Sequence, residues 1–394
     1  MNLPDNQSKS DTPEALIARL IYPETPSEDF LSTVSSPGIM ESLSIEMLQS
    51  EGVYPLFCHR LKQTYHSPET TKNNDLAKTN PLFSKSIKAG YQSIAQELDM
   101  DFGLEKTLHS INDFSPLLLK GVVMSHCFYE HPHLRPMDDI DLVIPDKSAG
   151  AVQTRLIKKG FKLLNNSFDD IVMNQFIMTN KLSGGSTIAL DIHTRVFNRP
   201  GMRDLLNYDE ILSNARKIQI AGQTALVPCA AHCLIHAALH LMAHHQNSRK
   251  LIWLYDIYLL EKSLGDEEIE RLLAYSSKKR IAFILVCALE RCHRFFPLTG
   301  LKLLPKLKEQ VKQQINIEHP STIALTDASL VDRLKSDWKA ASGVKVRLKW
   351  LKAHLFPSYS YIRKKYNVSA FPLVWACYVW RIVHGTVKLF RTRS

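Results

Sequence analysis

Two carboxylates, Asp139 and Asp141, stand two positions apart in the segment DIDLVIP. If this segment is a strand, its side chains alternate between faces. Asp139, Asp141 and Val143 then share one face, and Ile140, Leu142 and Ile144 the other. The second face is wholly apolar and calls for burial. The first sets like charges on neighbouring pleats, which repel unless a cation lies between them. Oxygen donors so placed suit Mg²⁺ or Mn²⁺, ions that bridge carboxylates and substrate phosphates. The segment ALDIHTRV repeats the pattern, with Asp191, His193 and Arg195 on one face. If the two strands are neighbours, Asp191 completes a three-carboxylate site for two metals. One metal would activate a hydroxyl and the other would hold a triphosphate. A lone D-x-D is a weak signal, since a solvated strand face also carries such pairs. Its context strengthens it: a Gly-containing strand end and a short helix precede it, and a second Asp-bearing strand follows.

The elements that must position these residues form an αβ stretch over 113–228. SPLLLKG is a short buried strand, Val122 to Glu130 a short helix, and HPHLRPM a loop. DKSAGAVQTRLIKKG reads as a helix with Asp146 as N-cap and Gly160 as C-cap. DIVMNQFIMTN and STIALDIHTRVF are strands around the turn LSGGS, and IQIAG with QTALVP makes a final hairpin. Residues 1–112 form an N-terminal helical region whose first ~12 residues are disordered, with a loop at 66–80. Residues 229–394 are helical again. DEEIERLLAYSSKKRIAFILVCALERCHRFF carries the 3.6-residue period as one stretch. The fold class expected is α+β: a small mixed sheet with helices at its back, flanked by N-terminal and C-terminal helical regions.

Lys120-Gly121, Tyr129, LRPMDDIDLVI at 134–144 and LDIH at 190–193 together resemble the uncharacterised nucleotidyltransferase family of the DNA polymerase beta-like superfamily. His240, Trp253, Leu254 and Asp256 are similar to that family's second half, and FPSYSYIRKKY resembles it more loosely. The resemblance implies Asp139, Asp141 and Asp191 as catalytic metal ligands for Mg²⁺ or Mn²⁺. It implies a nucleoside triphosphate as substrate, an unidentified hydroxyl acceptor, and Lys120 and Gly121 at the phosphate-facing turn. The superfamily's Gly-Ser is Gly121-Val122 here, and seventeen residues separate Gly121 from Asp139. Lys120 or Arg135 can supply the phosphate contact that the missing hydroxyl would make; an Arg fork suits a phosphate, and a solvated loop Arg is the plain alternative. Two other readings stand beside transfer. One is a nucleotidyltransferase fold that has lost catalysis and binds or scaffolds. The other is a toxin- or antitoxin-like enzyme acting on RNA or protein.

His232, His236, His240 and His244 recur at four-residue steps. Such a row drifts about 40° per step, since a turn holds 3.6 residues. Four such His cannot face one metal, and packing is the plainer reading. His240 stays a candidate for the nucleotide site. Asp256, among the apolar residues of WLYDIYLL, needs a partner if buried, with His240 or Arg249 as candidates.

The net charge of +10 is concentrated. Residues 339–394 hold twelve Lys or Arg and no Asp or Glu, leaving 49 − 12 = 37 basic against 39 acidic residues elsewhere. This segment implies an acidic partner, an anionic membrane surface or nucleic acid. KVRLKWLKAHLF sets Val344, Leu348 and Leu351 near one helix face and Lys345, Lys349 and Lys352 near another, as an amphipathic interfacial helix does. Seven irregularly spaced cysteines argue for reduced thiols, and the polar opening MNLPDNQSKSDTPE lacks a signal's apolar region. No apolar run approaches the ~20 residues that span a bilayer. These features point to a cytoplasmic protein, peripheral at the inner membrane face if the basic segment docks there.

Overall fold

The computed structural model of the chain describes residues 12–34, 36, 43–65, 81–164, 174–182, 185–197, 200–244, 250–300, 302–314, 337–339, 343–356, 362–363, 366, 368 and 372–381. Residues 1–11, the loop expected at 66–80, Arg249, Lys388, Arg391 and Arg393 lie outside the described residues.

Five helices come first: α1 (Pro13–Ile21), α2 (Ser27–Val34), α3 (Ile45–Ser50), α4 (Tyr54–Tyr65) and α5 (Pro81–Ile111). The Thr12 hydroxyl accepts from the Ala15 amide at the start of α1, and Pro13 follows where a helix tolerates it. Ser44 caps α3 in the same way. The αβ stretch runs β1 (Leu117–Leu118), α6 (Lys120–Cys127), β2 (Ile140–Val143), α7 (Ala149–Lys158), β3 (Lys162–Leu163), β4 (Gln175–Lys181), β5 (Thr187–His193), α8 (Tyr208–Leu212), β6 (Arg216–Ile220) and β7 (Gln223–Val227). The C-terminal helices are α9 (Ala230–His244), α10 (Leu251–Ser263), α11 (Asp266–Lys279), α12 (Ala282–His293), α13 (Leu303–Gln314) and α14 (Val344–Leu355).

The seven strands form one mixed sheet in the order β3-β4-β5-β2-β1-β7-β6. β2 runs parallel to β5, and β1 parallel to β7; the other pairs are antiparallel. The expected α+β class with a small mixed sheet is therefore the observed one. Ile140, Leu142, Ile144, Ile188, Leu190 and Ile192 are all buried. Each such side chain contributes about 1.5–3 kcal/mol relative to exposure. The long helix α5 covers this apolar face closely. A Cβ on Gly103 would stand 2.4 Å from Ile188 Cδ1, so any side chain there would push the helix off β5. The buried hydrophobic cluster continues from Ile17 in α1 to Leu307 in α13, so the helical regions share their core with the sheet.

Several local expectations are corrected. Asp146 does not cap α7: it opens a 3-10 turn, Asp146–Ser148, and Ser148 takes the N-cap position. Gly160, with φ +89°, sits one residue past the C-cap Lys159. The helical stretch from Asp266 is broken at Arg280, which adopts a left-handed φ of 55° and separates α11 from α12. β3 is an added strand that periodicity did not reveal, because two residues carry no period. The seven cysteines are all free thiols, and Cys58, Cys229, Cys233 and Cys292 are buried. No helix among the described residues is long and apolar enough to cross a membrane.

Candidate active site

The parallel pairing of β2 with β5 sets Asp141 opposite Asp191 and Val143 opposite His193. Both carboxylates and the imidazole therefore emerge on one face of the sheet, the face turned away from α5. His193 Nε2 lies 3.3 Å from Asp141 Oδ1 and 3.2 Å from Asp191 Oδ2. Lys120 reaches the same Asp141 oxygen, with Nζ at 2.5 Å. These four groups, with Asp139 just before β2, place three carboxylates against one ammonium and one imidazole.

The electrostatics follow from that imbalance. Burial, and then the Asp141 charge, raise the Asp139 pKa to about 6. Asp141 is the opposite case. Burial disfavours its charge, but hydrogen bonding from His193 and the charge of Lys120 hold it well below the usual carboxylate range. Burial disfavours the charged forms of Lys120 and His193 as well, yet the facing carboxylates raise both pKa values. Two buried polar atoms here have no hydrogen-bond partner, Asp191 Oδ1 and His193 Nδ1. An orphaned carboxylate oxygen beside two further carboxylates fits a divalent cation, and Asp141, Asp191 and His193 bring their ligand atoms within 4.8 Å of one another. Asp141, Asp191 and His193 thus have donor chemistry that fits a divalent metal, and Asp139 is near enough for the Asp141 charge to act on its carboxyl.

The turn from β1 into α6 is the other half of the site. Lys120 has a left-handed φ of 49°, a conformation that costs a non-glycine residue about 1–2 kcal/mol. That backbone turns its side chain back over β2. At Gly121 a Cβ would meet Met137 Cγ at 2.9 Å and Arg135 Nη1 at 3.2 Å, so the start of α6 packs directly on the 135–137 loop.

A cleft of about 360 Å³ opens beside these residues. Lys120, Gly121, Arg135, Asp139 and Asp141 line it from the core, and His240, Trp253 and Asp256 from α9 and α10. It thus brings together most of the residues singled out from sequence; Asp191 sits behind, against His193. The partner of Asp256 differs from the two named from sequence. Arg135 Nη2 donates to Asp256 Oδ2 at 2.8 Å and its Nε to Oδ1 at 3.4 Å, while the Tyr129 hydroxyl donates to Oδ1 at 2.8 Å. Arg135 Nη1 donates to the Pro136 carbonyl. The fork offered for a phosphate is therefore engaged by protein groups. Three members of the His ladder pack against aromatic rings: His232 meets Tyr275, His236 meets Phe197, and His240 meets Trp253 edge-on at 5.9 Å.

His193 is the residue that sequence reasoning left without a role, although its place beside Asp191 was visible. Tyr129 is similar, since its link to Asp256 joins residues 127 positions apart.

Residues 41–297 match the family described as uncharacterised nucleotidyltransferase, well over half of the chain. The chain belongs to this family. Curated proteins give no match. Among solved structures, an antigenic nucleotidyltransferase-like protein from Paracoccidioides brasiliensis is similar at 17% identity, over 50% of this chain and 93% of that one, with a TM-score of 0.30. That superposition is too loose to carry an argument. The matched span takes in Lys120, Asp139, Asp141, Asp191, His240 and Asp256, so the nucleotidyltransferase match and the carboxylate cleft coincide.

Proposed function

We propose that the chain transfers a nucleotidyl group from a nucleoside triphosphate such as ATP to a hydroxyl acceptor, using Mg²⁺ or Mn²⁺ held by Asp139, Asp141 and Asp191. The single observation that carries this reading is the excess of carboxylate over cation on one sheet face beside a cleft. When bound, the metals would polarise the α-phosphate and acidify the acceptor hydroxyl. Asp139 and Asp141 would hold both ions; Asp191 would hold the one nearer the acceptor and help take its proton. Lys120, already among the carboxylates, is within the cleft to meet phosphate charge. The first amides of α6 add the favourable end of a helix dipole. His240 and Trp253 offer an aromatic wall, and Arg135 with Asp256 holds that wall in place. The hydroxyl oxygen bonds to the α-phosphorus, pyrophosphate leaves, and the hydroxyl proton departs through Asp191. The proposed core boundaries, 113 and 228, enclose the three carboxylates proposed to hold metal, while Asp256 reaches the cleft from the C-terminal helices.

The test is calorimetric binding of a non-hydrolysable ATP analogue, with and without Mg²⁺, to the wild type and to an Asp139→Asn, Asp141→Asn double variant. Binding that needs the metal and vanishes in the variant supports the reading. Absence of binding by non-hydrolysable analogues of ATP, GTP, CTP and UTP alike overturns it. A second reading is favoured by Gly121-Val122, which lacks the superfamily's hydroxyl: nucleotide is bound but not transferred. Metal-dependent binding with no pyrophosphate release from any acceptor pool would select it.

The partner we infer for the basic segment is an anionic membrane surface at the cytoplasmic side. Val344, Leu348 and Leu351 on α14 are exposed, as are Trp375 and Trp380 in 372–381. Apolar and Trp side chains beside a basic surface suit a lipid interface. Co-sedimentation with anionic but not neutral vesicles, lost in Leu348→Asp, is the expected result. Binding to RNA with no vesicle association would replace the membrane with nucleic acid.

A further inference from the structure

A second set of metal-binding side chains meets away from the cleft, at the seam between the N-terminal helices and the core. His59 comes from α4, and Glu130 and His131 from the turn after α6. His59 Nε2 lies 3.3 Å from Glu130 Oε2, and His131 Nε2 lies 3.6 Å from Glu130 Oε1. The three donor atoms all fall within 4.8 Å of one another. Zinc in tetrahedral geometry, with bonds of about 2.0–2.1 Å, sets its ligands about 3.3 Å apart. Small side-chain rotations therefore separate this arrangement from a closed coordination sphere.

A surface His–Glu pair accounts for one imidazole on one carboxylate. Here two imidazoles from separate elements approach the two oxygens of the same carboxylate, with their rings edge to face at 5.5 Å. Behind His131, the ring of His133 stacks at 5.5 Å and 9°, and His133 Nδ1 faces Glu97 of α5 at 3.6 Å. The stack helps to set the plane of His131. The donor set of two imidazoles and one carboxylate is one that zinc takes with a water in its fourth position.

We propose that His59, Glu130 and His131 form a zinc site that pins α4 to the loop leading into the cleft. Glu130 and His131 are exposed, so the ion enters from solvent and keeps a water ligand. The same loop continues through Pro132–Leu134 to Arg135 and Asp139. Zinc there braces the segment that carries the first carboxylate of the cleft, and does so independently of any nucleotide.

The experiment uses the full chain, stripped with chelator and dialysed. Zn²⁺ is titrated calorimetrically, and Co²⁺ uptake is followed by its visible absorption, which is intense only in tetrahedral sites. Four proteins are compared: wild type, His59→Gln/His131→Gln, the exposed single variant Glu130→Gln, and Asp141→Asn/Asp191→Asn. The expected result is one equivalent of tetrahedrally bound zinc, a tetrahedral cobalt spectrum and a higher Tm with zinc in the wild type and in the Asp variant, apart from any zinc that the carboxylates of the cleft hold in the wild type. All three are lost in the His variant, and zinc affinity falls by at least ~10-fold in Glu130→Gln. The Glu130 variant keeps the test decisive if the His variant fails to fold. A wild type that takes up no zinc overturns the proposal, as does uptake that survives in Glu130→Gln and disappears in the Asp variant.

Discussion

Two buried ionic clusters border the same cleft, and they differ in how their charges balance. Around Asp256 one carboxylate meets one guanidinium and one phenol, and Arg135 and Tyr129 both donate to it. Around Asp141 three carboxylates meet one ammonium and one imidazole, and Asp191 Oδ1 is left without a partner. The first cluster is complete as it stands. The second is complete only with added positive charge. A buried group raises its cost when it lacks a partner, so the unbalanced cluster is where a metal and a phosphate-bearing substrate would stabilise the protein. The balanced cluster is a brace that ties the 129–137 loop to α10.

Breaking the balanced cluster gives the largest effect. Arg135→Met leaves the Asp256 carboxylate buried with only the Tyr129 hydroxyl, and losing one partner of a buried pair costs about 3–5 kcal/mol. Chemical denaturation of this variant should show that loss. The double variant Arg135→Met/Asp256→Leu should recover most of it, because no unpaired charge remains. If Arg135→Met unfolds within about 0.5 kcal/mol of wild type, the pair is not a brace and Arg135 is released for the phosphate role first considered from sequence.

How much of this was readable in advance depends on the range of the interaction. The face shared by Asp139 and Asp141 follows from the two-residue period of a strand, as does the face shared by Asp191 and His193. The second holds in the structure, where Asp191 and His193 share a face of β5 and the opposite face is buried Ile and Leu; Asp139 lies just before β2, so the strand period itself reaches only Asp141. Whether the two strands are neighbours is a property of sheet order, which no local pattern encodes; the register Asp141 to Asp191 appears only with the fold. Asp256 and Arg135 are 121 positions apart, and the sequence signalled merely that a buried Asp in α10 must have a partner. The same limit hid the seam of His59 and Glu130, since one comes from a helix of the N-terminal region and the other from the end of a segment that read as a short helix of the core. Asp146 failed as a cap for a local reason. The chain leaves Pro145 through a 3-10 turn, which shifts the cap to Ser148.

Neutralising a charge in the unbalanced cluster should have the opposite sign from the Arg135 change. Asp139 keeps its proton to about pH 6 in the folded protein, against an ordinary value of 3.8. The unfolded chain releases that proton first, so metal-free stability falls as pH rises from about 4 to 6 and then levels. A shift of this size corresponds to about 2 kcal/mol after allowing for partial solvation. Asp139→Asn should therefore stabilise the metal-free protein by about that amount at pH 7 and change it little at pH 4. Denaturation at the two pH values checks this. A destabilised Asn variant at pH 7 would mean that the charge of Asp139 is already compensated, and the contrast between the clusters would collapse.

The smallest effect sharpens the comparison most, because it separates the clusters without altering the fold. Arg135 and Tyr129 both have pKa values pushed upward, away from the neutral range, so neither titrates between pH 5 and 8. Asp139 does, and a metal ligand must be deprotonated to bind. Affinity for Mn²⁺ should accordingly rise with pH through about 6 and become flat above it. Below that point each unit of acidification should cost up to about tenfold, or ~1.4 kcal/mol. Mn²⁺ titrations followed by electron spin resonance at pH 5, 6, 7 and 8 read this directly, and Asp139→Asn should bind more weakly with no such bend. A wild-type profile that is flat from pH 5 to 8 would remove both Asp139 and His193 from the ligand set, since each must lose a proton to bind, leaving Asp141 and Asp191 as the metal ligands.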